Sequence, residues 1–197
     1  MIPLENYKKE KLTIDLVKAN LFGLIVMIPI ILVYGIPFYL IHVKNSASFN
    51  ITEILESIKP IAIFGYSALF FIVFIVGVIL HELIHGITWA IFAKKGFKSI
   101  KFGVIWKMLT PYCHCKEPLS VKHYILGAIM PAIVLGFIPA IYGLVFGNFV
   151  ILIFGAFFTL AAAGDFLIIN LIRKENWNSL VQDHPSEVGC YIYRTNI

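Results

Sequence analysis

One segment determines which class of protein this sequence belongs to: residues 61–92 read IAIFGYSALFFIVFIVGVILHELIHGITWAIF. A helix crosses the core of a bilayer with roughly 20 apolar residues, and the segment opens with an uncharged run of that length. Glu82 and two histidines follow, although hydrocarbon tolerates ionisable side chains only where something compensates them. The segment therefore predicts a membrane helix that contains a polar site.

Three further stretches are long and apolar enough to cross a bilayer: residues 21–43, 124–146 and 149–172. Of all 197 residues, 59% are apolar and 14% are charged, against roughly 45–50% and 25% in soluble domains. We therefore predict an all-α membrane protein with about four transmembrane helices, folded as a single domain over residues 1–197.

The basic residues lie almost entirely on one side of the predicted membrane. Four spans place the N-terminus, the loop between spans two and three and the C-terminal tail on the same side, and these segments hold four, seven and three Lys or Arg. The opposite side holds only Lys44 and Lys59. Because Lys and Arg are enriched on the cytoplasmic side, we expect a multi-pass protein of a prokaryotic cytoplasmic membrane with both termini in the cytoplasm. This distribution also accounts for the net charge of +5, so the expected partner is a lipid bilayer and no nucleic acid.

The loop between spans two and three has the pattern of a strand. Ile100, Phe102 and Val104 alternate with Lys101 and Gly103. This alternation predicts a short strand-like cytoplasmic segment between helices two and three.

The same loop contains Cys113-His114-Cys115, which fits either a second metal site or a strand of reduced cysteines. An extended backbone places His114 on the face opposite the two thiols, which favours the strand. Three cysteines in the whole chain form no disulfide framework, so we expect thiols in a reducing compartment, with the close pair Cys113 and Cys115 left as an exception.

The two ends of the chain are expected to be peripheral. The residues before the first span, with Leu12 and Leu16 one helical turn apart, predict either a helix on the membrane surface or a solvated terminus. The tail from Asn176 predicts a short cytoplasmic cap. Asp183 and His184 could lend a ligand or gate a site, but a surface position is favoured.

The polar site begins with His81-Glu82-Leu83-Ile84-His85. Residues four apart lie on the same face of a helix, so His81 and His85 can bind one metal ion. Glu82 lies beside them, where it can take a proton from a metal-bound water. The alternative, two hydrogen-bonded core histidines, would leave the Glu82 carboxylate in hydrocarbon without a partner.

Asp165 is the candidate for a third metal ligand. His85 lies nine residues before Lys94 and Asp165 lies eight before Arg173, so both reach a similar depth near the cytoplasmic side. Gly86 and Gly164, next to these ligands, are expected to let the helices approach closely. The alternative for Asp165 is an ion pair with Lys or Arg near the membrane surface.

Two imidazoles and one carboxylate suit a catalytic zinc ion, which acidifies its bound water and polarises a carbonyl. We therefore predict an integral membrane zinc metallopeptidase that hydrolyses peptide bonds of membrane-associated substrates near the cytoplasmic face. Zinc is the expected cofactor, and Glu82 would activate the zinc-bound water.

These residues resemble the putative zincin peptidase family of small membrane proteins and, more widely, the site-2 protease group of intramembrane metalloproteases. The resemblance covers most of the chain from about residue 60 onward and rests on five stretches: residues 81–86, the strand-like segment after them, and residues 127–131, 164–165 and 183–186. It implies that His81, His85 and Asp165 hold zinc and that Glu82 is the catalytic acid/base.

The resemblance also implies how a substrate binds. A membrane protein or peptide would unwind and pair with an edge strand, and the candidate substrate contacts are Ile100, Phe102, Val104 and His114. Site-2 proteases usually present their aspartate as Leu-Asp-Gly, whereas here Gly164 precedes Asp165 and Phe166 follows it. They also often carry an Asn-Pro pair, where this chain has Met130-Pro131.

Non-catalytic functions remain as alternatives. The motif could belong to a metal-binding or haem-binding transporter or sensor, or to a scaffold that retains zinc without turnover. Histidines four apart on one helix cannot occupy opposite axial positions of one haem, so haem is the weaker of these. The sequence makes no prediction of oligomeric state.

Overall fold

The computed structural model describes residues 7–44, 60–106, 110–184 and 189–195. Most of these residues are helical, and two small antiparallel sheets lie among the helices in chain order. Pro185 and Ser186, which contribute to the family resemblance, and Lys59 lie outside the described residues.

The first helix, α1, alternates between α-helical and π-helical turns. Its four parts follow each other without a gap: Leu16–Ile30 (α), Ile31–Gly35 (π), Ile36–Phe38 (α) and Tyr39–Val43 (π). Asp15 caps its start by accepting hydrogen bonds from the backbone N–H of Val17 and Lys18. Each π-helical part begins two residues after a proline, Pro29 or Pro37. A proline ring displaces the carbonyl one turn before it, and the wider turn accommodates that displacement.

The second helix, α2, spans Pro60–Phe92 and passes Gly77 without a break. The third helix, α3, consists of Val121–Pro131 (α), Ala132–Phe137 (π) and Ile138–Phe146 (α), and its π-helical part again follows a proline. Gly147, with φ +70°, ends α3 in the left-handed conformation that favours glycine.

The last apolar segment is a bent pair of helices, α4 at Phe149–Ala161 and α5 at Ala163–Ile172. The two axes differ by 42° at a break around Ala162. The described residues thus contain three helices long and apolar enough to cross a membrane, or four if the bent pair is one span. In the most apolar windows of α1 and α2 only 11% of residues are buried within the protein, which is consistent with a lipid environment.

Both ends of the chain join one four-stranded antiparallel sheet in the order β1-β6-β5-β4. Its strands are Tyr7–Thr13 (β1), Leu119–Ser120 (β4), Leu180–Asp183 (β5) and Gly189–Thr195 (β6). Residues 7–13 therefore form an edge strand, and neither a surface helix nor a solvated terminus. The prediction of an all-α fold is right for most of the chain but omits this sheet.

Arg194 ties the sheet to the helices. Its guanidinium donates hydrogen bonds to Glu10 on the neighbouring strand β1 and to both carboxylate oxygens of Glu175, just after α5. Beneath the sheet, a core of buried residues from β4, β5, β6, α2 and α3 includes Trp89, Val121, Tyr124 and Val181. The sheet and the ends of the helices are therefore one packed unit.

The predicted strand-like segment is a hairpin of β2, Ile100–Ile105, and β3, Thr110–Cys115. Its register pairs Phe102 with Cys113 and Ile100 with Cys115. The three cysteines of the chain are free thiols, and all three are buried. His114 pairs with Lys101 and lies in an extended strand between the two thiols, so its side chain points to the opposite face.

Candidate metal centre

Three predicted ligands converge between α2 and α5. The Nε2 atom of His81 lies 3.2 Å from Oδ2 of Asp165, and Nε2 of His85 lies 3.3 Å from Oδ1 of the same carboxylate. One ligand atom from each of the three residues lies within 4.8 Å of the others. His81 and His85 are only 8% and 4% exposed, so this cluster is closed to bulk water on the α2 side.

Two of the separations in this cluster fit a zinc ion. Ligand atoms at about 2.0–2.1 Å from a tetrahedral zinc lie about 3.3 Å from each other, and the two N–O separations are 3.2 and 3.3 Å. Two imidazoles and one carboxylate are also the donor types of a catalytic zinc site, which leaves a fourth position for water or substrate.

The hydrogen bond on the far side of His85 supports the same conclusion. Its Nδ1 atom lies 2.8 Å from the carbonyl oxygen of Gly127 on α3. A carbonyl only accepts, so Nδ1 carries a proton, and the Nε2 lone pair of neutral His85 faces a carboxylate oxygen. Two acceptors in contact require a positive charge between them, which either a proton on His85 or a bound cation supplies.

Gly127 is essential to this arrangement because α2 and α3 are very close there. A Cβ atom at this position would lie 2.1 Å from Nε1 of Trp89. Trp89 in turn stacks on the His85 ring, with centroids 5.1 Å apart and planes at 14°. The ring of His85 is thus oriented by a carbonyl at its edge and an indole on its face.

His81 is held in a different way. Its ring lies against Phe158 of α4, with centroids 6.4 Å apart, and Phe158 is 1% exposed. Gly77 leaves the space for that phenyl ring, since a Cβ there would lie 2.3 Å from it. The Nδ1 atom of His81 is buried and has no hydrogen-bond partner among the described residues.

Asp165 lies in the first turn of α5, just beyond the bend at Ala162. The described part of the chain gives it two histidine partners and no Lys or Arg, so the alternative of a surface ion pair is wrong. The expectation for Gly164 is also wrong, because a Cβ there would meet no atom within 4 Å. The bend, and not a small residue, turns Asp165 towards α2.

Glu82 lies between the metal cluster and the hairpin. The backbone N–H of Cys113 on β3 donates a hydrogen bond to its carboxylate, and His85, His81 and Asp165 are its nearest charged neighbours. Gly86 permits this approach, since a Cβ there would lie 2.5 Å from Phe102 and 3.1 Å from Ile100. The close contact predicted at Gly86 is therefore with a strand and not with a helix.

The hairpin has one free edge, on β2. Cys113 and Cys115 direct their N–H groups to carboxylates outside the hairpin, so the backbone groups of their partners Phe102 and Ile100 also point away from it. Val104, two residues on, has the same orientation. Among the described residues no strand pairs with this side of β2.

The four candidate substrate contacts lie in three different settings. The side chain of Ile100 is buried against α2, whereas Phe102 and Val104 are 46% and 40% exposed. His114 is half-buried on the opposite face, next to Tyr112 with ring centroids 4.4 Å apart. Burial and the nearby charge of Lys101 lower the pKa of His114.

Sequence reasoning missed the residues that surround the cluster. Trp89 follows His85 by four positions and so shares its helix face, a spacing that could have identified it. Asp183 and His184 were expected at the surface, but His184 is 5% exposed and both carboxylate oxygens of Asp183 accept hydrogen bonds within the protein. Nothing in their local sequence signals this, because their partners come from distant elements.

A family model described as putative zincin peptidase matches residues 74–180. This segment includes His81, Glu82, His85 and Asp165 as well as both strands of the hairpin. No curated protein and no solved structure matches the chain.

Proposed function

Because the chain belongs to the putative zincin peptidase family, we propose that it is a membrane-embedded zinc metallopeptidase, formed as a single domain of residues 1–197. His81, His85 and Asp165 are its zinc ligands and Glu82 is its catalytic acid/base. The observation that carries the proposal is the contact of both Nε2 atoms with one carboxylate, at 3.2 and 3.3 Å, within the matched segment.

Bound zinc would supply the charge that acidifies water and polarises a peptide carbonyl. The chain's own residues do the rest. Gly127 and Trp89 hold the ring of His85, and Phe158 holds that of His81, so both Nε2 atoms are oriented before the metal binds. Pre-orientation of this kind lowers the cost of assembling the site.

Glu82 moves the proton in this proposal. Glu82 follows His81 in the sequence. Its carboxylate accepts a hydrogen bond from the N–H of Cys113 and lies near His81, His85 and Asp165. It would accept a proton from the attacking water and deliver it to the nitrogen of the leaving amine. The contact with the hairpin backbone fixes the carboxylate at the outer edge of β3, on the side of the hairpin opposite the free edge of β2.

We place the site near the cytoplasmic side of a membrane that the chain crosses four times. The sheet supports this topology, since it joins the N-terminal strand, β4 of the central loop and the C-terminal strands. These are the three segments that carry four, seven and three of the sixteen Lys and Arg. Segments in one sheet share one side of the membrane, and the basic side is cytoplasmic.

The substrate we propose is a membrane protein or peptide that unwinds and adds a strand to the free edge of β2. The carbonyl group of Ile100, whose N–H already donates to the Phe97 carbonyl, and the backbone groups of Phe102 and Val104 would bind it. The exposed side chains of Phe102 and Val104 would contact its apolar residues. This edge belongs to the strand that packs on Gly86, one residue beyond His85. We also propose that the protein resembles the site-2 proteases in this mode of substrate binding.

The test compares zinc content and peptide cleavage in detergent-purified wild type, Glu82→Gln and the control Glu10→Gln. Glu82→Gln should keep one zinc per chain and lose at least about 100-fold in turnover of membrane-derived peptides. Glu10, which contacts Arg194 at the sheet, should tolerate the same change. Equal cleavage by wild type and Glu82→Gln would refute the role of Glu82, and zinc binding with no turnover of any peptide would support a non-catalytic scaffold instead.

A further inference from the structure

Asp183 of β5 lies three residues beyond the segment matched by the family model, yet its carboxylate contacts two residues within that segment. Its Oδ2 accepts a hydrogen bond of 2.8 Å from the backbone N–H of Cys115, and its Oδ1 accepts one from the hydroxyl of Tyr124. Tyr124 is 3% exposed, so water does not compete for this contact. A buried carboxylate with both oxygens occupied is costly to form and is a feature that requires a reason.

The contact with Tyr124 leads directly to a proposed zinc ligand. The ring of Tyr124 stacks on Trp89, with centroids 5.1 Å apart and planes at 25°, and Trp89 stacks on His85. Nε1 of Trp89 donates a hydrogen bond of 3.1 Å to the carbonyl oxygen of Tyr124, which fixes the indole between the two rings. Displacing Tyr124 therefore displaces the surface on which His85 rests.

The contact with Cys115 leads to the proposed catalytic base. Cys113 and Cys115 are alternate residues of β3 and direct their N–H groups to the same edge, where Glu82 and Asp183 accept them. Pro111, the next residue of β3 that faces this edge, has no N–H group. The two carboxylates thus hold one strand edge at adjacent positions, and Asp183 sets where β3 lies relative to Glu82.

We propose that Asp183 is a positioning residue of the metal centre, acting on His85 through Tyr124 and Trp89 and on Glu82 through β3. This inference rests on the proposed function, because it assumes that His85 binds zinc and that Glu82 moves the proton. The four-stranded sheet then has a second role besides packing on the ends of the helices. Through Asp183 it orients both His85 and Glu82.

The experiment measures zinc affinity, by competition with a chelator, for wild type, Asp183→Ala, Asp183→Asn and Tyr124→Phe in detergent. The absorption spectrum of the Co²⁺-substituted proteins reports the ligand geometry directly. The matched control is Glu175→Gln, which removes a carboxylate that binds Arg194 of the same sheet but contacts neither Tyr124 nor β3.

Asp183→Ala should weaken zinc binding by about 10-fold to 100-fold, which is the usual effect of removing a residue that supports a metal ligand. Asp183→Asn should lose less, since its amide can accept from Cys115 and donate to the Tyr124 oxygen. Tyr124→Phe should shift the Co²⁺ spectrum, and Glu175→Gln should leave both the affinity and the spectrum unchanged. In cleavage assays kcat should fall, because one proposed ligand and the proposed base both lose their position.

Two results separate the inference from the proposed function. If folded Asp183→Asn and Tyr124→Phe match the wild-type zinc affinity and Co²⁺ spectrum, Asp183 is only a structural residue and the inference is overturned, while the peptidase proposal stands. If wild type itself binds no zinc, both are overturned. Should Asp183→Ala fail to fold, the two conservative variants decide the question.

Discussion

The Nδ1 atom of His85 on α2 lies 2.8 Å from the carbonyl oxygen of Gly127 on α3. This contact sets the tautomer of the imidazole and directs its Nε2 atom to Asp165, 3.3 Å away. It exists only because residue 127 has no side chain, since a Cβ would lie 2.1 Å from Trp89. One backbone carbonyl thus links the packing of two helices to the orientation of a proposed metal ligand.

Gly127→Ala should therefore disrupt the metal centre. The added methyl group must displace Trp89, and overpacking of this kind costs about 1–3 kcal/mol in stability. Because Trp89 and the Gly127 carbonyl both orient His85, we expect weaker zinc binding together with a lower melting temperature. Zinc titration and thermal unfolding in detergent measure the two effects.

Gly164→Ala is the matched control for this prediction. Gly164 also adjoins a proposed ligand, but the space around its Cβ position is open. Alanine in a helix is favoured over glycine by roughly 0.5–1 kcal/mol, so this variant should be as stable as wild type or more so. If the two variants bind zinc equally, close packing at Gly127 is not what orients His85.

Asp183 should make stability depend on pH. Burial raises the pKa of this carboxyl to about 6, although Tyr124 and the Cys115 N–H lower it and the nearby His85 and Asp165 act in opposite directions. In an unfolded chain the value is about 4, so the folded protein binds the proton more tightly. The stability that protonated Asp183 contributes is complete below pH about 4 and is lost as the pH rises through about 6. As the pH rises over this range, the melting temperature of wild type should fall relative to that of Asp183→Asn.

Glu175 provides a control of opposite sign. Its hydrogen bonds to Arg194 lower the pKa of the Glu175 carboxyl, so the stability it contributes is present above its unfolded pKa and is lost as the pH falls. The melting temperature of wild type relative to Glu175→Gln should rise over the acidic range. A difference between wild type and Asp183→Asn that stays constant from pH 4 to 7 would contradict the account of Asp183.

The three cysteines should be inert in the folded protein. Burial raises the pKa of Cys115 to about 11 and that of Cys190 to about 12, and it raises the pKa of Cys113 as well. Only the thiolate reacts with alkylating reagents. We therefore expect no labelling by iodoacetamide at pH 8 in mild detergent and full labelling after denaturation, measured by mass spectrometry. Rapid labelling of Cys113 in the native protein would show that the hairpin does not pack on α2 as described.

Gly86→Ala should separate catalysis from metal binding. A Cβ at this position would lie 2.5 Å from the ring of Phe102, so the hairpin must move away from α2. Zinc binding should persist, because the ligands on α2 and α5 are not displaced, whereas cleavage should fall since Glu82 and β2 lose their relative position. Unchanged cleavage by Gly86→Ala would argue against the hairpin as part of the site.

The metal cluster could be predicted from the sequence because local rules suffice for it. The spacing of His81 and His85 follows from helix geometry, and the depth of Asp165 follows from counting residues to the flanking Lys94 and Arg173. The hairpin was also foreseeable, since alternation of Ile100, Phe102 and Val104 is a local pattern. The contacts that orient the ligands could not be predicted, because they form between elements that are distant in the sequence.

The four-stranded sheet illustrates that limit. Leu12 pairs with Cys190 across almost the whole chain, and β4 is only two residues long, so no local pattern indicates either pairing. At Gly164 a local rule was wrong. A small residue was expected to let two helices approach, but the space there is open and the bend at Ala162 brings Asp165 to α2. Asp183 combines both problems, since its two partners lie on α3 and β3.

An anomalous scattering map recorded at the zinc edge from crystals of the purified protein tests the metal centre directly. We predict one ion per chain between α2 and α5, bound by Nε2 of His81, Nε2 of His85 and the carboxylate of Asp165. A map with no ion at this position, or with zinc bound at the cysteines of β3 instead, would contradict the proposed metallopeptidase centre.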